Sequence, residues 1–231
     1  MTDTIPGLDS LAGTVIVSCQ AGEDSPLNSP AMIAALAASA ERGGASGFRV
    51  DGVDNIKAVR AISRLPIIGI NKLHHPGFDV FITPTVQSAV DVAVAGSQII
   101  AVDGTARPRP GGESFADIVT ALHAMNVEVM ADIATVEEGL AALDAGADVA
   151  ATTLAGYTPY STDKGEPGFD VLTGIVARGG RVIVEGRIWT VEHVATAFEL
   201  GAHAVVIGSA VTVPEFITRR FVAAARGGRS A

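Results

Sequence analysis

The sequence carries a single cysteine, Cys19, so no disulfide can form within the chain, which fits a reducing cytoplasm. Basic residues are scarce too: 16 Lys and Arg stand against 25 Asp and Glu, a formal net charge of −9. That balance argues against broad nucleic-acid binding, which needs a basic surface. It also means that an anionic substrate must be held by local donors, not by the overall field. No uninterrupted apolar run reaches the roughly 18 residues needed to cross a bilayer, so no membrane partner is expected. Residues 1–10 carry Asp3, Pro6 and Asp9 and lack the basic stretch followed by an apolar one that marks a signal peptide. His193 and His203 have no metal-ligand spacing with Asp or Cys partners, so no metal is expected.

What the sequence has in plenty is apolar residues, 48% against 18% charged, enough to bury a sizeable core. Short apolar runs alternate with longer stretches whose apolar residues recur at helical spacing. The runs at 14–19, 47–50, 67–71, 98–102, 128–132, 148–153, 181–185 and 204–207 read as strands, mostly almost wholly apolar, as parallel strands covered on both faces are. Helices are read at 30–42, 54–63, 86–95, 114–125, 136–145, 169–178, 191–200 and about 214–225. Ser29, Thr135 and Thr190 mark helix starts, and glycine-containing triplets at 43–45, 95–97, 145–147 and 200–202 mark helix ends. Eight strand–helix rounds in 231 residues predict a single (β/α)8 TIM barrel, a fold of roughly 250 residues, with residues 1–10 as an N-terminal extension. A doubly wound open sheet shares this alternation, because strand order is invisible in the sequence.

In such a barrel the active site lies where strands end and loops begin. Polar residues gather there: Gln20 after strand 1, Arg49 and Asp51 on strand 2, Lys72 after strand 3, Asp103, Asp132 and Glu185 closing strands 4, 5 and 7, and Thr152-Thr153 closing strand 6. Charged groups placed directly after apolar runs are costly unless paired or used. Gly186-Arg187 and Gly208-Ser209 follow strands 7 and 8, whose loops often bind phosphate in barrels. On position alone, Lys72 reads as a surface cation, a Schiff-base nucleophile or a general base, and burial beside Arg49 would favour the neutral amine that a base needs. Glu185 reads either as a structural partner for Arg187 or Arg49 or as a catalytic acid/base. Asp103 either orients its own loop or touches substrate, and Cys19 reads as a small buried hydrophobe.

Together these motifs closely resemble the N-acetylmannosamine-6-phosphate 2-epimerases of bacterial sialic acid breakdown. The resemblance is carried by Val17-Ser18-Cys19-Gln20 with Asp24-Ser25-Pro26-Leu27, by Pro66-Ile67-Ile68-Gly69 leading to Lys72, and by Phe81-Ile82-Thr83-Pro84-Thr85. It continues through Asp103-Gly104-Thr105-Ala106-Arg107-Pro108-Arg109-Pro110, Ala131-Asp132-Ile133-Ala134-Thr135, Thr152-Thr153-Leu154-Ala155-Gly156-Tyr157-Thr158, Glu185-Gly186-Arg187 and Gly208-Ser209-Ala210. It implies that Lys72 and Glu185 form the acid/base pair, that Gln20, Arg49 and Asp132 contact the substrate, and that Gly186, Arg187, Gly208 and Ser209 hold a phosphate. It further implies an isomerase acting on a phosphorylated amino sugar, with no cofactor, assembled as a homodimer. The chain departs from the family pattern at Val213, where an arginine is frequent, at Leu73-His74-His75, where Arg-Asp is usual after the lysine, and at Asn71, where the family is apolar. Two other readings stay open: a Schiff-base-forming or otherwise divergent barrel enzyme, and a sugar-phosphate-binding barrel without chemistry.

Overall fold

The computed structural model describes residues 5–227. Its strands are β1 (Thr14–Cys19), β2 (Gly47–Asp51), β3 (Ile67–Ile70), β4 (Ile99–Asp103), β5 (Glu128–Asp132), β6 (Val149–Ala151), β7 (Val182–Glu185) and β8 (Ala204–Ile207). They pair in sequential order into one closed barrel, all parallel, and β1 returns to β8 through Thr14↔Ala204 to Val17↔Ile207. That closing ladder excludes the open sheet. Outside lie α1 (Pro30–Arg42), α2 (Val53–Arg60), α3 (Val86–Val94), α4 (Phe115–His123), α5 (Val136–Asp144), α6 (Phe169–Val176) and α7 (Val191–Glu199), followed by the single turn α8 (Ser209–Thr212) and α9 (Pro214–Gly227).

The local signals act as read. Ser29, Thr135 and Thr190 each accept an N–H from the third residue of the helix they open, as do Thr85 and Ser114. Gly96 and Gly201 leave their helices at φ of +117° and +93°, a region closed to most side chains.

The strand period of two sorts the core into layers. Phe48, Val50, Ile100, Val102, Val129 and Cys19 face the helices. Ile16, Ile68, Ile70, Ala101, Met130, Ala151, Ile183 and Val206 fill the barrel interior. Burial pushes the Cys19 thiol up to about 12, so it stays protonated.

The segment before β1 is more than an extension. Residues Leu8–Leu11 form a 3-10 turn, and Leu8 and Leu11, both fully buried, join the interior cluster as the barrel floor. The Leu8 N–H donates to Glu128 Oε2 at 2.7 Å, and His203 Nε2 lies 2.9 Å from the Leu8 carbonyl oxygen. Residues 1–4 of the expected extension lie outside the described residues.

The strand read at 148–153 ends early, at Ala151, because Thr152–Leu154 turn into a 3-10 helix. The Thr152 hydroxyl takes over the ladder: it donates to Glu185 O at 2.9 Å and accepts the Glu185 N–H at 3.1 Å. The turn α8 had no periodic signal of its own. Leu11→Ala should lower stability by about 2–5 kcal/mol through the cavity it leaves under the barrel, measurable by denaturant unfolding.

Candidate active site

The same alternation aims the functional side chains. Phe48 and Val50 face outward, so Arg49 between them points into the barrel, as Asp132 and Glu185 do from β5 and β7. Arg49 Nη1 and Nη2 donate to Asp132 Oδ1 at 2.9 Å and Oδ2 at 2.5 Å, a two-point fork. Nη1 also donates to Glu185 Oε2 at 2.6 Å. Thr153 joins them, its hydroxyl donating to Asp132 Oδ1 at 2.6 Å and lying 3.4 Å from Glu185 Oε2.

One cation thus serves two carboxyl groups away from water. Burial alone would favour loss of the Arg49 proton, but Asp132 and Glu185 outweigh it and hold the guanidinium charged. For Glu185 burial is the largest influence and pushes the pKa up. Arg49 opposes that, Asp132 adds to it, Lys72 opposes it, and the result is about 7, well above an ordinary carboxyl. Such a group can give or take a proton near neutrality.

Lys72 stands at the rim. Its side chain is 38% exposed, so it does not lie buried beside Arg49 as the sequence reading allowed. Its Nζ donates to Gln20 Oε1 at 2.6 Å, and the Gln20 amide nitrogen donates to Ser18 Oγ at 2.8 Å. Asp51 accepts the Lys72 backbone N–H at 3.0 Å and keeps a carboxylate oxygen 3.9 Å from Nζ.

A cavity of about 370 Å³ opens between these groups. Ser18, Gln20, Lys72, Thr153, Glu185, Gly186, Arg187, Trp189, Gly208, Ser209 and Val213 line it. Arg49 and Asp132 were expected to touch substrate. They are 1% and 0% exposed and lie outside the cavity wall, enclosed with Thr153 and the buried side of Glu185. Arg187 lines the cavity, but its guanidinium faces the segment after β6: it donates to Ala155 O at 2.6 Å, pairs with Asp163 at 3.0 Å and lies 4.0 Å from the Tyr157 ring centre. Asp103 proves to brace its own loop, binding the Thr105 hydroxyl at 2.7 Å and Arg107 Nη2 at 2.6 Å. Among the described residues, no cluster of three or more metal-ligating side chains forms. Sequence reasoning placed Thr153, Ser18 and Asp51 at strand ends but gave them no role in the site; inward parity on strands 1 and 2 was the available signal for the last two.

Residues 33–227 match the family described as "Putative N-acetylmannosamine-6-phosphate epimerase". A relative from Clostridium perfringens (strain SM101 / Type A), described as a putative N-acetylmannosamine-6-phosphate 2-epimerase, is 42% identical over 215 residues, covering 93% of this chain and 97% of its own. One of the same description from Enterobacter sp. (strain 638) is 43% identical over 222 residues, covering 94% of each. The solved structure of the N-acetylmannosamine-6-phosphate 2-epimerase from Clostridium perfringens gives a TM-score of 0.92 at 41% identity, over 94% of this chain and 95% of that one. A thiamine phosphate pyrophosphorylase from Pyrococcus furiosus, at a TM-score of 0.61 and 17% identity, shares the fold alone. The family match runs from within α1 to α9, and the relative covers 93% of the chain, so this chain belongs to the N-acetylmannosamine-6-phosphate epimerase family.

Proposed function

We propose that this chain interconverts N-acetylmannosamine-6-phosphate and N-acetylglucosamine-6-phosphate by carrying a proton across C2. The observation behind this reading is that Lys72 and Glu185 line one cavity from β3 and β7, which stand four places apart in a ring of eight. A sugar between them presents one face to each.

Opening of the sugar ring exposes the C1 aldehyde, which acidifies the proton on C2. In one direction the Glu185 carboxylate takes that proton, the C–H electron pair becomes the C1–C2 enolate, and the Lys72 ammonium protonates C2 from the other face. In the reverse direction the two exchange roles. Each positioned acid or base contributes about 10²–10⁴-fold. Gln20 has a second amide N–H beyond the one given to Ser18, a donor suited to the developing charge on O1. Arg49 and Asp132 act from beneath, by holding Glu185 in place and setting its proton affinity.

The phosphate sits against Gly186, Gly208 and Ser209, where the first N–H groups of α8 begin, with Arg187 adding positive potential. No helix among the described residues is long and apolar enough to cross a membrane. We place the reaction in the cytoplasm, in sialic acid breakdown. We assign a homodimer, because α9 leaves Phe216, Phe221 and Val222 in solvent, with Phe221 74% exposed.

Lys72→Met should abolish epimerisation in both directions, followed by proton NMR, while Glu185 still exchanges with D₂O the C2 proton of the one epimer that faces it; retained epimerisation would remove Lys72 from this role. Because the equilibrium constant is independent of pH, kcat/KM should fall in parallel in both directions as pH drops through about 7 and Glu185 takes a second proton into the pair. The native Glu185 carboxyl keeps its proton up to about 7, whereas the unfolded chain releases it at the ordinary carboxyl value, so rising pH between these points costs stability. Glu185→Gln should therefore be more stable than the native chain at about pH 8, by on the order of 1–3 kcal/mol, and little different at about pH 4. Thermal unfolding at the two pH values checks the sign.

A further inference from the structure

The segment between β3 and α3 folds back on itself. Lys72 and Ile82 form an antiparallel bridge, the Leu73 N–H donates to Phe81 O at 2.9 Å, and the Thr83 N–H donates to Asn71 O at 2.9 Å. On its other side the returning chain joins β4, where the Asp103 N–H donates to Ile82 O at 3.1 Å. Direct pairing of β3 with β4 runs only through Ile68↔Ile99 and Gly69↔Ile100. Above that point residues 82 and 83 stand between the two strands as an inserted wedge.

The wedge ends on Thr83, which is fully buried with φ of +45°. A β-branched residue is a steric outlier there, and glycine would fit without strain. What threonine brings is a hydroxyl with a partner on each side. It donates to Ala101 O on β4 at 2.7 Å and accepts the Asn71 N–H at 3.2 Å. Asn71 immediately precedes Lys72. Asp51 supplies the matching anchor on the β2 side by accepting the Lys72 N–H.

We propose that Thr83 is a positioning residue for Lys72: its hydroxyl ties Asn71 to β4 and fixes where the lysine leaves the barrel wall. The proposal rests on the reading of Lys72 as an acid/base group at C2. Loosening this anchor shifts the ammonium while leaving Glu185 and the phosphate end untouched, so it should slow turnover more than it weakens binding.

The test measures kcat and KM for epimerisation of N-acetylmannosamine-6-phosphate by three variants, with circular dichroism and thermal unfolding as the check on fold. Thr83→Ser keeps the hydroxyl and should stay within about twofold of the native kcat. Thr83→Val keeps the shape and loses the hydroxyl; kcat should fall about 10²-fold with KM within about threefold, the size expected of a misplacement near 1 Å. Thr83→Gly removes hydroxyl and strain together, should show the same loss, and serves if the valine variant fails to fold. Native kcat in either folded variant lacking the hydroxyl overturns the proposal, and so does an equal loss in Thr83→Ser. Lys72→Met assayed alongside separates the two ideas: epimerisation retained there overturns the role of Lys72 itself, whereas epimerisation lost there with native turnover in the Thr83 variants overturns only the anchor.

Discussion

Everything at the mouth of this barrel is arranged around the charge of Arg49. A guanidinium in a barrel interior is costly unless its donors are met by opposite charge, and here Asp132 meets it with both oxygens and Glu185 with one. The three residues come from β2, β5 and β7, so the interaction also braces the ring from inside. Two carboxyl groups sharing one cation cannot both be fully compensated. Glu185, the less enclosed of them, has its proton affinity raised into the neutral range. Structure and chemistry are the same fact here: the geometry that pairs a buried arginine also prepares a proton carrier.

Much of this was legible in the sequence because strands have a fixed period. An apolar run interrupted at alternate positions by Arg49 and Asp51, or closed by Asp132 or Glu185, says which side chains face inward. It does not say what they meet inside. Arg49 and Asp132 face the axis but meet each other, Glu185 and Thr153 there, so both sit behind the cavity instead of on its wall. Arg187 follows Glu185 by only two positions, yet its φ of +56° helps aim it at the segment after β6, and a bend of that kind at a non-glycine residue leaves no mark in composition. Thr83 was hidden for the same reason. Thr153 was placed on a strand, because nothing in the run of residues 148–153 shows that the Thr152 side chain would replace the ladder and turn the chain inward.

The barrel floor has a consequence for the order in which the molecule assembles. Leu8 is held by Glu128 on β5 and by His203 just before β8, partners 120 and 195 positions further along the chain. Contacts of that separation carry a large loop-closure cost and form only when the intervening elements already hold their ends together. Leu8 and Leu11 precede every strand of the barrel in the chain, but the surface that receives them exists only once β5 and β8 are in place. The floor's native contacts therefore form with the closing of the ring or after it, not ahead of it.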